Sequence, residues 1–266
     1  MQSEDGKRHV RIHYWCDHGT ETIDYTLAQS SLASAFPSAT IILTAIPLQK
    51  GNTREQALIL KQFMRSFPAD TIHICHLTTL SSEPPRYVIA HKFQQFFLGP
   101  ASGFLHLAFE DNDLPFYIVP NDGSNQWDTL NAIYIPAVLR LLDHSNQNLS
   151  EIFRLKEIAH KQMWVQPVIK GNTMRIVCLH IDGYGNCYFN INKAEFELLR
   201  NERKVRILTQ MATIEGIMND YNDMPEGRIL ALFGYGDLLQ IAQNNGNCSL
   251  NMGIYIDHPV LVEFYE

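Results

Sequence analysis

Over the first eighty residues the apolar pattern switches repeatedly between two periods, and few folds accept that alternation. "VRIHYW" is a short apolar run ending at Cys16-Asp17-His18-Gly19, and "TLAQSSLASAF" then carries apolar residues at helical spacing up to Pro37. "ATIILTAI" reads as a buried strand, "TREQALILKQFMRSF" as an amphipathic helix and "TIHICHL" as another strand. Strand and helix in strict turn imply a parallel, helix-covered sheet. After "RYVIAHKF" and "FFLGPASGFLHLAF" the pattern becomes strands and turns, and "LNAIYIPAVLRLLDH" supplies one more helix.

From about residue 146 the polar "SNQN" and the mixed "LSEIFRLKEIAHKQ" read as a connection. Beyond it come short strands, "MRIVCLHID", "CYFNI", "GRILALF", "MGIYI" and "VLVEF", with "DLLQIAQ" the one helical segment among them. The expectation is an α/β fold in two domains. Residues 1–158 form an α/β domain with a mostly parallel, helix-covered sheet, and residues 159–266 a β-rich, barrel-like domain.

A net charge of −7 and a pI near 5.9 argue against nucleic-acid or anionic-membrane partners, which need a concentrated basic face. The polar start "MQSEDGKRHV" lacks the apolar core of a signal peptide, and no window approaches the roughly 18 apolar residues of a span. A cytoplasmic protein is expected. The cysteines, Cys16, Cys75, Cys178, Cys187 and Cys248, are odd in number and far apart, which suggests reduced, mostly buried thiols.

Two patterns imitate sites. "GRILALFGYGDLLQIAQNNGNCSLNMGIYID" offers a strand, Gly234-x-Gly236, a helix, a strand and an acidic Asp257, the order of a dinucleotide-binding turn. Leu239 stands where the third glycine belongs, and only nine residues follow Asp257. His73 and His76 are close in sequence, but residues three apart on a strand face opposite ways and cannot share a metal. No GxSxG elbow, Walker loop or HExxH occurs.

Three stretches together resemble the S-adenosylmethionine hydroxide adenosyltransferases, relatives of the fluorinase and chlorinase enzymes. They are "YWCDHGTETIDYTLAQSSLAS", "FPADTIHICHLTTLSSEPPRYVIAHKFQQFFLGPASGFLHLAFE", and "IDGYGNCYFNI" with "GRILALFGYGDLLQIAQNNGNCSL". The second is similar to the family's "FP.GTIH" strand, variable loop and "GP.NG.L" segment, and the third to "ID.FGN..TNI". The resemblance implies an N-terminal α/β domain, a C-terminal β-rich domain and a homotrimer with sites between neighbouring subunits. It also implies a nucleoside ligand, with S-adenosylmethionine as substrate or ligand and no further cofactor or metal.

Residue by residue, the resemblance makes Asp17 the acceptor of both ribose hydroxyls, Asp182 the partner of the substrate ammonium, and Asn186 the contact to the adenine edge. Tyr184 stands where the family keeps a phenylalanine against the adenine ring. Tyr235 aligns with a serine near the methionine carboxylate, a role that the backbone about Gly234 and Gly236 can also fill. These residue types suit those jobs: an ammonium needs a fixed anion, a base edge a donor with an acceptor, and a flat ring a stacking surface. Taken without the resemblance, Asp17 remains open to being a turn or helix-capping aspartate, and Asp182 a strand-end turn carboxylate.

The hydrolytic members of the family use an Asp, Arg, His set to activate water at the ribose C5′. This chain departs from it. Thr78 lies at the Asp position, Pro85 or Arg86 at the Arg position, and Thr129 or a near neighbour at the His position. Threonine hydroxyls position a small nucleophile but are poor general bases near neutral pH. The expected nominal activity is hydrolysis of S-adenosylmethionine to adenosine and methionine. The alternatives are displacement by another nucleophile, a non-catalytic binding module and, third, a dinucleotide oxidoreductase.

Overall fold

The computed structural model describes residues 10–80, 84–121, 128–145, 147–156 and 162–266. The chain divides into two units, Met1–Met163 and Trp164–Glu266. The boundary expected at 158/159 lies outside the described residues, as do Ser81, Ser82 and Glu83 of the "SSEPPR" loop.

The first unit opens with β1 (Arg11–Cys16), α1 (Ile23–Ala35), β2 (Thr40–Ala45), α2 (Thr53–Phe63) and β3 (Thr71–His76). Each helix starts where a side chain satisfies an orphaned N–H. The Thr22 hydroxyl accepts from Tyr25 at 3.3 Å, and the Asn52 amide oxygen accepts from Glu55 at 3.2 Å. There follow β4 (Tyr87–Lys92), β5 (Gln95–Pro100), α3 (Phe104–Phe109), β6 (Phe116–Val119), α4 (Ile135–Asp143), α5 (Leu149–Ile152) and β7 (Arg154–Lys156). A wide π turn, Leu130–Tyr134, leads into α4, with the Ile135 N–H reaching back to Leu130. Pro136 follows at once, and the wider turn accommodates a ring that would otherwise press on the carbonyl one turn earlier.

The strand order is β2-β1-β3-β5-β4-β6-β7. The first four strands are parallel, and β4, β6 and β7 join antiparallel, so the sheet is mixed. Ile12, Tyr14, Ile72 and Ile74 pack on one face with Leu32 of α1 and Tyr134 and Val138 of the α4 region. His13, Trp15 and His73 take the other face, as strand alternation requires. There His13 stacks on Phe67 at 4.3 Å, Trp15 meets Phe63 at 5.2 Å and His73 stacks on Phe97 at 4.5 Å.

A chain of buried polar groups crosses that second face from β2 to β5. Gln95 Nε2 donates to the Phe67 carbonyl at 2.6 Å, so its oxygen faces His73 Nε2 at 3.0 Å and accepts from it. His73 Nδ1 must then accept from His13 Nδ1 at 2.9 Å, and His13 Nε2 accepts from the Thr44 hydroxyl at 3.0 Å. The two histidines satisfy each other as neutral rings. Burial, reinforced for His13 by the neighbouring His73, holds both well below the usual histidine range.

The second unit comprises β8 (Val168–Lys170), β9 (Thr173–Ile181), β10 (Cys187–Asn192), α6 (Lys193–Arg200), β11 (Lys204–Leu208), β12 (Thr213–Glu215), β13 (Ile229–Phe233), β14 (Leu238–Gln243), α7 (Cys248–Met252) and β15 (Pro259–Tyr265). Its strand order is β12-β11-β15-β9-β10-β14-β13, with β8 beside β9. A parallel bridge from Met218 to Leu232 carries the chain beyond β12 onto β13 and nearly closes a barrel around Ile176, Phe189, Phe196, Ile207, Ile241 and Val262.

The helix expected at "DLLQIAQ" is instead β14. Leu239 and Ile241 enter the barrel core while Ala242 packs outside it with Leu230 and Leu232, an alternation hidden when both faces of a strand are covered. Helix is found instead at "KAEFELLR", where Asn192 caps Glu195 at 2.9 Å. All five cysteines are free and buried.

Candidate functional site

β1 and β3 are parallel neighbours in the register Cys16–His76, so Asp17 and Thr78 leave the sheet at the same end. The chain turns from β1 toward β2 on one side, while β5 lies beyond β3 on the other. A reversal of this kind opens a crevice at the carboxyl ends of the strands. There Thr78 doubles back onto Asp17: its N–H donates to Oδ2 at 2.8 Å and its hydroxyl to Oδ1 at 3.0 Å. Gln56, on α2, donates from Nε2 to Asp17 Oδ2 and to the Thr78 carbonyl, both at 2.9 Å. One amide thus ties α2 to both strand ends.

Burial pushes the Asp17 carboxyl up, but contacts from His18, Thr78 and Gln56 outweigh it and hold the group below its usual range. His18 Nδ1 lies 3.9 Å from Oδ1, a charge contact rather than a hydrogen bond, and Asp17 raises the imidazole in return. The His18 ring stands 6.0 Å from that of His76, whose Nδ1 is 2.6 Å from the Tyr14 hydroxyl. Burial, helped by His18, lowers His76 to about 4.

Arg86 is exposed immediately before β4, and β4 begins opposite Pro100 at the end of β5, so Arg86 shares this end of the sheet. Thr129 is buried at the start of the helical run into α4, beside the helix-capping Asp128. Among the described residues, no hydrogen bond joins Arg86 or Thr129 to Asp17 or Thr78.

In the second unit the turn after β9 is built around Asp182. Its Oδ1 accepts from the Tyr184 and Asn186 N–H groups at 2.9 and 3.0 Å, and its Oδ2 from the Asn186 amide at 3.0 Å and the Tyr188 hydroxyl at 3.1 Å. Gly185 has φ +84°, and a Cβ there would lie 2.2 Å from Asn247 Oδ1, so only glycine fits. Tyr188 links this turn to the next loop, because a Cβ on Gly234 would sit 3.2 Å from its ring and 2.0 Å from Gln240 Oε1. Gln240 in turn donates to the Tyr221 hydroxyl at 2.6 Å. Asp182, Asn186 and Gly234 therefore share one neighbourhood, with the Tyr184 and Tyr235 rings exposed on the same loops.

The Gly234-x-Gly236 turn connects β13 to the antiparallel β14, with no helix behind it. A dinucleotide pyrophosphate needs a helix N-terminus at that point, so the oxidoreductase alternative falls. Among the described residues, no group of three His, Cys, Asp or Glu side chains is disposed to hold a metal. A cavity of about 580 Å³ lies at the opposite strand ends, lined by Val10, Phe36, Asp70, Ile72, Phe96 and Leu141 among others, and holds none of the candidate residues.

The model of the SAM hydroxide adenosyltransferase N-terminal domain matches residues 12–149, and that of the C-terminal domain matches residues 177–261. The chain belongs to the SAM hydroxide adenosyltransferase family. An uncharacterized conserved protein from Thermotoga maritima shares its fold with a TM-score of 0.80 at 18% identity, over 94% of this chain and 99% of that one. A conserved hypothetical protein from Thermus thermophilus gives 0.71 at 17% identity, over 96% and 99%. No curated protein matches the chain. Against this family background, Gln56, His18, Tyr188 and Gln240 are the residues that sequence patterns did not single out, and His76 was weighed only as a metal ligand. The signal for Gln56 was there, as an amide inside the apolar stripe "EQALIL".

Proposed function

We propose that this family member binds S-adenosylmethionine or adenosine, with Asp17 receiving ribose hydroxyls and the Asp182 turn receiving the ammonium and the adenine edge. The observation that carries this is that family membership extends over both units, and each of these two carboxylates is fixed by internal donors, Asp17 by Gln56 and Thr78 and Asp182 by its own turn. A carboxylate so fixed offers its remaining lone pairs to a ligand without first ordering its own loop. Asn186 and Gly234 lie beside Asp182, and the exposed Tyr184 and Tyr235 supply ring surface and backbone nearby. As the family resemblance implies, the pocket is completed by neighbouring subunits of a homotrimer, and no cofactor beyond the nucleoside is required.

The nominal reaction is hydrolysis. Water oxygen bonds to C5′, the C5′–S bond breaks with its electron pair passing to sulfur, and adenosine, neutral methionine and a proton result. Thr78, Arg86 and Thr129 are the residues available to orient the water. The Thr78 hydroxyl is already bound to Asp17, and a threonine is a poor base. That favours a second reading, a binding module that holds the cofactor without turning it over. Incubation with S-adenosylmethionine and chromatography for adenosine and methionine separates the two: product release supports hydrolysis, and saturable binding without product supports the module. Absence of binding rejects both.

No helix among the described residues is long and apolar enough to cross a membrane. For the trimer, mixing defective Asp17→Ala and Asp182→Ala proteins restores binding at about a quarter of junctions if neighbouring subunits each contribute one carboxylate. No recovery after demonstrated subunit exchange rejects the shared pocket.

A further inference from the structure

The Asp17 side chain is 1% exposed, and its oxygens already have internal donors. Those donors differ in how freely they can leave. The Thr78 N–H is fixed by the path of the backbone. Gln56 is fully buried on α2, and its Nε2 is held at once by Asp17 Oδ2 and the Thr78 carbonyl. The Thr78 hydroxyl, on a half-buried side chain, needs only a rotation about one bond to release Oδ1.

Gln56 shows a second feature. Among the described residues its Oε1 is buried without a hydrogen-bond partner. An interior acceptor left unsatisfied is costly, and an apolar side chain of the same length would avoid it. Its amide is therefore oriented by the two bonds that Nε2 donates, and those bonds offset the cost of the idle oxygen. A neutral donor also holds the carboxylate ionised without introducing a charge into the crevice.

We propose that Gln56 is the positioning residue of the Asp17 subsite: it pins Oδ2 against α2, so that a ligand hydroxyl is taken by Oδ1 in exchange for the hydroxyl of Thr78. The proposal rests on the reading of Asp17 as the ribose contact and deepens it, because it predicts one working oxygen rather than two. No covalent bond changes. One hydroxyl donor replaces another at Oδ1, and the freed Thr78 hydroxyl turns toward the ligand.

The titratable groups that feel the Asp17 charge are Tyr14 and His18 on β1 and its turn, His76 at the end of β3 and Tyr134 in the turn leading into α4. From α2 the residue that meets it is the neutral Gln56. Removing that donor leaves burial less opposed, so the Asp17 carboxyl must titrate at higher pH.

The test compares wild type with Gln56→Met, which keeps length and helix propensity but donates nothing. Titration of ¹³C-labelled aspartate carboxyls, with Asp17 assigned by Asp17→Asn, should show its midpoint rising by about one unit or more in the variant. Calorimetry with adenosine should show affinity at pH 7 reduced roughly tenfold or more, with the acid limb of binding moved up in parallel. An unchanged Asp17 midpoint overturns the positioning role, as does a loss of affinity with an unmoved acid limb. A shifted midpoint in a protein that binds no adenosine, wild type included, overturns the ribose reading and the exchange while leaving the Gln56 contact established. Thr78→Ala checks the exchange independently of how Gln56→Met folds. On adenosine binding its Asp17 midpoint should fall by more than in the wild type, because Oδ1 has no hydroxyl donor to give up, and an equal fall overturns the displacement of Thr78.

Discussion

Acidification should unfold the N-terminal unit through its two facing histidines. His13 and His73 are 1% and 0% exposed, and each already uses both ring nitrogens in the chain from Thr44 to Gln95. A proton on His73 would turn its acceptor nitrogen into a donor facing the His13 N–H, and one on His13 would reverse the Thr44 hydroxyl and place a charge in the core. Both pKa values are depressed, so above the unfolded value of about 6.5 the rings are neutral in both states and add no pH dependence. Below it the unfolded chain takes up a proton at each ring and the folded chain does not, so stability falls as pH falls.

The slope is about 1.4 kcal/mol per pH unit per histidine. At pH 4.5 the pair should have cost roughly 5 kcal/mol, comparable with the whole stability of a domain at about 5–15 kcal/mol. His76, lowered to about 4 mainly by burial, adds in the same direction. The depressed Asp17 carboxyl contributes only near and below its unfolded value of about 3.9, outside this window. Urea unfolding at half-unit steps from pH 7 to 4.5 measures the slope, and His73→Phe, which keeps a ring against Phe97, isolates one proton. The variant should be weaker at pH 7, since His13 Nδ1 and Gln95 Oε1 lose their partner, yet its slope should be shallower by about 1.4 kcal/mol per unit. A flat wild-type profile, or equal slopes in the two proteins, would refute the neutral pair.

Two further outcomes follow from the loops. Thr78→Asp places a second carboxylate where the hydroxyl now sits 3.0 Å from Asp17 Oδ1, so one of the two must hold a proton near neutrality; it should not raise hydrolysis of S-adenosylmethionine above wild type, and a large gain by chromatographic assay would contradict the Asp17–Thr78 geometry. Gly185→Ala combines φ +84° with a collision against Asn247, and should destabilise the C-terminal unit by more than about 1 kcal/mol in urea; an unchanged midpoint would mean that the turn relaxes freely.

Much of the first unit was legible because β1, β2 and β3 are short apolar runs, β1 and β3 of them buried, set apart by capped helices. The antiparallel part was not. β4 and β5 are joined through Phe93 and Gln94, both with positive φ, a tight hairpin turn without the Asn-Gly pair that usually marks one. β14 failed for a different reason, since cover on both faces erased its period of two. At the site, the glycine-softened turn at 182–186 showed itself through Gly185, whereas Gln56 stands 39 residues from the carboxylate it holds, and only the fold brings them together. Of the three residues aligned with a hydrolytic set, Thr78 and Arg86 share one end of the sheet, but a shared end is not a contact.

The most direct test of the central claim is a calorimetric titration of adenosine into wild-type protein and into Asp17→Ala at neutral pH. The account predicts saturable binding to wild type and affinity at least roughly tenfold weaker in the variant, because a ligand hydroxyl would lose a charged acceptor whose side chain is 1% exposed. Equal affinity in the two proteins, with the variant shown to be folded, would contradict it.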